Sequence, residues 1–177
     1  MISTNAPIVW TRQVRFLHWG LAICVAANLI NDGDGIKDLH HYVGYAASVF
    51  VFLRLGLGFL GKGSPAAHHL FRNWPLSLLV LLGFIKSELS KNPMNFEGHN
   101  PLACWTYIGI WISVLALGAT GFVMGLDAFW GEEWLEDLHA IISNILMVLV
   151  AAHFLGFMKD AIKFRRKTWM RMISGRY

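Results

Sequence analysis

Four long apolar runs dominate the chain, and they limit it to one kind of fold. They lie at about 16–31, 41–61, 102–126 and 138–158. Each is near the roughly 20 residues that an α-helix needs to cross the hydrocarbon core of a bilayer. Hydrophobic residues make up 55% of the chain, which is high for a soluble domain. The sequence therefore predicts an all-α membrane protein with a bundle of four transmembrane helices.

A fifth apolar stretch, Trp74–Ile85, is too short to span a bilayer and is followed at once by charged residues. It predicts a short helix over about 74–88 that lies at the membrane interface, between the second and third spans. A re-entrant segment is the alternative. A basic tail, 159–177, follows the fourth span. We therefore expect the chain, 1–177, to form a single transmembrane domain.

The charges between the spans predict an orientation. Lys and Arg concentrate before the first span, in the loop between the second and third spans, and in the tail. The loop between the third and fourth spans has no basic residue and five acidic ones: Asp127, Glu132, Glu133, Glu136 and Asp137. The positive-inside rule then places both termini in the cytoplasm. The basic residues that give the net charge of +4 flank the apolar spans. Because the orientation of the spans accounts for this placement, we do not expect a nucleic-acid partner.

Four of the eight histidines lie in the spans: His18, His40, His139 and His153. An ionisable residue inside a membrane is by default a functional hypothesis. His139 and His153 are nearly four helical turns apart, so they share one face and lie about 21 Å apart along the axis. His18 matches the depth of His153, and His40 matches that of His139. This pattern predicts two interhelical pairs, one near each membrane surface.

Haem is the cofactor that such pairs favour. Haem iron accepts imidazole as an axial ligand, and helical bundles build cofactor sites from facing side chains. Two alternatives stay open: the histidines could be packing groups or proton relays, or they could transport a metal ion. Metal transport is the weaker of these, because no carboxylate within the spans would help to neutralise a divalent ion.

Two further residues on the second span support a cofactor. Arg54 lies fourteen residues after His40 on the same face, and the propionates of an inner haem would supply the anion that a buried guanidinium needs. Snorkelling to the interface is the alternative. Gly44, one turn after His40, would leave room for a flat macrocycle, although a small residue serves helix packing equally well.

The remaining histidines carry weaker predictions. His41, His68 and His69 are expected in interfacial or loop positions. His99, just before the third span, is a candidate proton carrier at an inner quinone site. A capping or surface role is its alternative.

Several short motifs occur together, and they resemble the bacterial cytochrome b561 family. That family also takes in the cytochrome b subunits of nickel–iron hydrogenases and thiosulfate reductases. The first two spans contribute Arg15-Phe16-Leu17-His18-Trp19 and Leu39-His40 with Gly44 and Arg54. The rest of the chain contributes Gly98-His99-Asn100-Pro101-Leu102, Thr120-Gly121, Leu138-His139, His153 and Met172-Ile173-Ser174-Gly175-Arg176.

The resemblance implies two b haems, ligated by His18 with His153 and by His40 with His139. Arg15 of the first motif is a further cofactor-binding candidate. The resemblance also implies that the protein exchanges electrons, in the bacterial inner membrane, between quinone and a periplasmic redox protein such as a c-type cytochrome. One alternative is a membrane-anchor cytochrome b subunit of a hydrogenase or other oxidoreductase complex. The other, from a different class, is a histidine-based proton or metal transporter. Homo-oligomerisation is left open.

Overall fold

The computed structural model describes residues 10–31, 36–60, 74–90, 100–163 and 172–175. Within these ranges the chain is helical, and no strand occurs in them. The elements are α1 (Arg12–Ile30), α2 (Lys37–Leu60), α3 (Leu78–Leu89), α4 (Pro101–Met124) and α5 (Glu133–Lys163), with one 3-10 turn at Asp127–Phe129.

Among the described elements, α1, α2, α4 and α5 are each long and apolar enough to cross a membrane. Many of their large apolar side chains point outward, which suits a lipid environment: Phe16 is 68% exposed and Val148 is 69% exposed. The predicted fold class, an all-α bundle of four transmembrane helices, is confirmed. The short helix α3 lies between the second and third of these helices and packs against α4.

Polar caps fix where two of the long helices begin. Thr11 precedes α1 and accepts a hydrogen bond from the Val14 amide at 3.4 Å. Asn100 precedes α4 and accepts from the Ala103 amide at 2.7 Å, with Pro101 in the first helical position. Asparagine at the cap followed by proline satisfies the free amides of a helix start.

The packed seams of the bundle run from α1 to α2, from α2 to α4, and from α4 to α5. A fully apolar cluster, Ala47, Val51, Val114 and Leu146, is buried where these helices meet. Leu146 lies midway between His139 and His153 along α5. We call this cluster the apolar septum, because it separates the two depths at which the histidines lie.

The two ends of the bundle are named here by their charges. The acidic end carries the α4–α5 connection, with Asp127 and Glu132, and the basic end carries Arg12 and Lys159. At the basic end, the Lys159 ammonium forms an ion pair with Glu88 and so joins α5 to the end of α3.

The segment Met172–Gly175, called here the C-terminal clamp, returns to the start of α1. The Trp10 amide donates to the Gly175 carbonyl at 3.2 Å, and the Trp19 indole donates to the Met172 carbonyl at 3.0 Å. The Arg15 guanidinium donates to the Ile173 carbonyl. The described chain ends therefore meet at the basic end, as an even number of spans requires.

Candidate functional site

The structure brings the four intramembrane histidines together as two pairs. At the acidic end, the ring centroids of His40 on α2 and His139 on α5 are 6.3 Å apart. At the basic end, those of His18 on α1 and His153 on α5 are 6.4 Å apart. Both pairs cross the interior of the bundle instead of following its packed seams. These are the partners that depth matching along the sequence predicted.

The ring separations fit one metal ion between each pair. Two metal–imidazole bonds of about 2 Å each, plus the distance from each nitrogen to its ring centre, give a centroid separation of about 6 Å. A direct hydrogen bond between two imidazoles would bring the centroids to about 5 Å. The observed 6.3 and 6.4 Å therefore match shared coordination better than a direct hydrogen bond.

A cavity surrounds the acidic-end pair. Counted together with the open space at its mouth, it encloses about 620 Å³. The lining is mainly apolar, with His40, His139 and a few polar side chains such as Asn28. Gly44 also lines it, and a Cβ there would lie only 3.1 Å from the Asn28 side-chain nitrogen. The glycine keeps this wall open.

The hydrogen bonds of His139 select one tautomer. Its Nδ1 lies 2.8 Å from the Thr120 hydroxyl, which also lies 2.9 Å from the Ala116 carbonyl. A hydroxyl has one proton, and a carbonyl can only accept. Both contacts are hydrogen bonds together only when Thr120 donates to Ala116 and His139 Nδ1–H donates to the Thr120 oxygen. This assignment leaves Nε2 of His139 unprotonated and available to a metal.

His40 is held in the same tautomer by the backbone. Its Nδ1 lies 2.6 Å from the Asn31 carbonyl oxygen, which can only accept, so Nδ1 carries the proton. The Asn31 side chain fixes this turn, because it accepts from the Ile36 amide at 3.2 Å and donates to the Ile36 carbonyl at 3.0 Å. Asn28 donates to the His40 carbonyl at 3.0 Å and joins the two helices.

Thr120, Asn28 and Asn31 are the site residues that reasoning from the sequence missed. Thr120 entered only as part of a family motif. A usable signal was present: Thr120 lies near the end of α4 and His139 near the start of α5, on either side of one short connection. An antiparallel helix pair brings such residues to one depth, and a polar side chain inside a span needs a partner.

The basic-end pair is surrounded by aromatic rings. The Tyr107 ring lies 5.4 Å from that of His153, and the Trp19 ring lies 5.3 Å from that of His18, both edge to face. Trp74 contacts Tyr107 at 6.1 Å and stacks on Trp111 at 6.0 Å. Trp74 and α4 thus form an aromatic cluster on one side of this pair.

Three buried nitrogens have no hydrogen-bond partner within the described ranges: Arg15 Nε, His18 Nδ1 and one terminal nitrogen of Arg54. An unpaired buried donor is costly. Anionic oxygens, such as those of haem propionates, fit the two guanidinium groups. Arg15 does not rely on such a group alone, because it also donates to the C-terminal clamp.

Other predicted residues fall in different places. His41 is exposed on α2 and contributes to the cavity lining beside His40. His68, His69 and His99 lie outside the described residues, as do most basic residues of the α2–α3 connection and the tail. Among the residues that are described, no group of three or more His, Cys, Asp or Glu side chains could hold a metal ion.

Histidines paired across the interior of a four-span apolar bundle are the arrangement of a membrane-embedded b-type cytochrome. The family model for prokaryotic cytochrome b561 matches residues 9–175 of the 177. The chain belongs to that family, which confirms the resemblance seen in the sequence motifs. It is thus a multi-pass bacterial membrane cytochrome of the haem b type, involved in electron transfer. No curated protein and no solved structure matches the chain.

Proposed function

We propose that the chain holds two haem b groups, one at each histidine pair, and carries electrons across the bacterial inner membrane. The donor and acceptor would be the quinone pool and a periplasmic redox protein such as a c-type cytochrome. The main support is the near-equal separation of the two pairs, 6.3 and 6.4 Å, at two depths along α5. Haem b would supply the one-electron carrier at each site.

The side chains at each site suit that cofactor. His40 and His139 line one cavity, and with their Nδ1–H groups donating to acceptors their Nε2 atoms would be free to bind a metal ion. Two imidazoles per iron leave no coordination position for a substrate, which favours electron transfer over ligand chemistry. Arg54 is half-buried and has an unpaired nitrogen within the described ranges, so it offers a positive partner to a propionate.

The apolar septum supports electron transfer without proton transfer. Val51 is fully buried, and Ala47, Val114 and Leu146 are at most 5% exposed. Water and protons need polar partners along their path, whereas tunnelling electrons do not. The septum would therefore place an apolar layer between the two sites, which lie on the same helix, α5.

The charges at the two ends support the orientation. All five carboxylates of the α4–α5 connection are exposed: Asp127, Glu132, Glu133, Glu136 and Asp137. The positive-inside rule places this end in the periplasm and the basic end in the cytoplasm. An exposed acidic rim would also attract a redox protein with a basic docking patch.

The proposal is tested by electron transfer into sealed vesicles. Proteoliposomes would contain trapped ferricyanide and receive dithionite outside, since neither ion crosses a bilayer readily. We expect bleaching of the trapped ferricyanide with the wild-type protein and only leak-level bleaching with His40→Ala, reconstituted to the same protein content. Bleaching by the wild type no faster than in empty liposomes would contradict transmembrane electron transfer.

A further inference from the structure

The Thr120 hydroxyl connects the backbone of α4 to a histidine of α5. It donates to the Ala116 carbonyl, which is 2.9 Å away, and its oxygen faces His139 Nδ1 at 2.8 Å. The hydroxyl proton is already committed, so the oxygen acts on His139 only as an acceptor. Thr120 thus touches the predicted ligand but not the position that an iron would occupy.

A hydrogen bond at this nitrogen changes the donor strength of the other one. When the Nδ1–H of an imidazole donates to an acceptor, the ring becomes more basic and Nε2 becomes a stronger ligand. A stronger axial donor stabilises ferric iron relative to ferrous iron and so lowers the reduction potential. Hydrogen bonding around the ligands is one of the means by which proteins tune haem.

The same residue pair also limits how the ring can turn. Gly121 follows Thr120, and a Cβ at that glycine would lie 3.7 Å from His139 Cε1. The imidazole therefore lies against the α4 backbone while Thr120 holds its Nδ1. Rotation of the ring about its χ2 angle would break the hydrogen bond and leave a polar N–H unpaired in an apolar wall.

We propose that Thr120 is a positioning residue that lowers the reduction potential of the haem at the acidic end. The inference rests on the two-haem function proposed above. His40, the other histidine of that pair, has a comparable hydrogen bond: its Nδ1–H donates to the Asn31 backbone carbonyl at 2.6 Å. A side-chain substitution cannot remove the Asn31 backbone carbonyl. The hydrogen bond to the Thr120 hydroxyl is therefore the one that mutation can delete.

Thr106 provides a matched control on the same helix. Its hydroxyl donates to the Leu102 carbonyl at 2.8 Å, the bond that Thr120 makes with Ala116. Val replaces the hydroxyl of either residue by a methyl group of similar size. Thr120→Val deletes the acceptor for His139, whereas Thr106→Val deletes only a bond to the helix backbone.

The experiment is a spectroscopic redox titration of the holoprotein in its membranes, with Thr120→Val, Thr120→Ser and Thr106→Val. The haem component of the acidic end is identified as the one that His40→Ala removes. We expect Thr120→Val to raise the midpoint of that component and to leave the other midpoint in place. Thr120→Ser, which keeps the hydroxyl, should restore the wild-type value, and Thr106→Val should not move the acidic-end midpoint.

Each outcome decides the inference. Two unmoved midpoints in Thr120→Val, with both haems retained, would overturn it, as would an equal shift in Thr106→Val. If Thr120→Val loses the acidic-end haem, retention in Thr120→Ser supports the hydrogen bond, and loss from both variants contradicts it. A wild-type protein with fewer than two haems is a different result, which would overturn the proposed function itself.

Discussion

The two histidine pairs have almost the same ring separation but very different surroundings. The acidic-end pair, His40 and His139, is held by hydrogen bonds to a backbone carbonyl and to a threonine hydroxyl oxygen. The basic-end pair, His18 and His153, lies against the rings of Trp19 and Tyr107. One site is oriented by polar contacts and the other by aromatic packing.

The origin of the surrounding residues also differs between the two sites. At the acidic end, the contacts are close in sequence: Asn31 lies 9 residues before His40, and Thr120, in the last turns of α4, lies 19 residues before His139. At the basic end, the C-terminal clamp returns across the whole chain to bind Arg15 and Trp19, next to His18. The difference teaches that the acidic-end site depends on local turns, whereas the basic-end site depends on the joining of the two chain ends.

The largest expected effect is the loss of one haem without the other when a single histidine is replaced. His40→Ala should remove the acidic-end haem and leave the other, and His153→Ala should do the reverse, because we propose each imidazole as one of the two axial ligands in its pair. Haem content per chain should fall by about half in each variant. Visible spectra and haem extraction measure this. Retention of both low-spin haems in either variant would show that the ligand assignment is wrong.

A smaller effect tests the role of the C-terminal clamp. Gly175 is buried with a φ of 77°, and a Cβ there would collide with the Trp10 carbonyl oxygen. Gly175→Ala should lower the free energy of unfolding by about 2 kcal/mol. The left-handed backbone conformation alone accounts for roughly 1–2 kcal/mol of this loss. We expect the basic-end haem to be released at a lower temperature than in the wild type, with the acidic-end haem less affected.

Gly131 is the control for that substitution. Its φ of 78° is nearly the same, but nothing lies within 4 Å of the position that a Cβ would take. Gly131→Ala should therefore show only the cost of the backbone conformation. Thermal release of each haem, followed by absorbance, compares the two variants. Equal losses in both would mean that the contact between the clamp and α1 contributes nothing measurable.

The smallest effect concerns the partner at the acidic end. Replacing Glu132, Glu133 and Glu136 by Gln removes three exposed charges near His139. Electron exchange with a basic c-type cytochrome at low salt should slow about 10-fold, since charge steering raises association rates. The rate with a small neutral oxidant should not change. A variant that exchanges electrons with the cytochrome at the wild-type rate would leave the acids as a topology signal alone.

Much of the fold was predictable because the bilayer imposes a length and a polarity on each span. The pairing was predictable too, since His139 and His153 share a face and the hairpin connections fix the depth of their partners. The ends of the helices were less predictable from the sequence. Both α1, which begins at Arg12, and α5, which begins at Glu133, start several residues before their apolar runs. Apolar runs report the thickness of the hydrocarbon core, whereas a helix continues into charged residues beyond it.

The contacts around the paired histidines and Arg15 could not be predicted from the sequence, for a different reason. The Asn31 and Ile173 groups that bind His40 and Arg15 are backbone carbonyls, which every residue type carries. Their involvement depends on the conformation of a turn and on the path of the C-terminal clamp. The single turn marker available was glycine, and Gly175 was noticed only within a motif.

The central claim is that each histidine pair holds one haem, and the haem-to-chain ratio of the purified wild-type protein tests it most directly. Haem would be quantified by its reduced pyridine complex and protein by amino-acid analysis, with electron paramagnetic resonance to report the spin state. The account predicts two haems per chain, both low-spin, with two resolved components on reductive titration. One haem per chain, a high-spin signal from an intact site, or a colourless protein would contradict it.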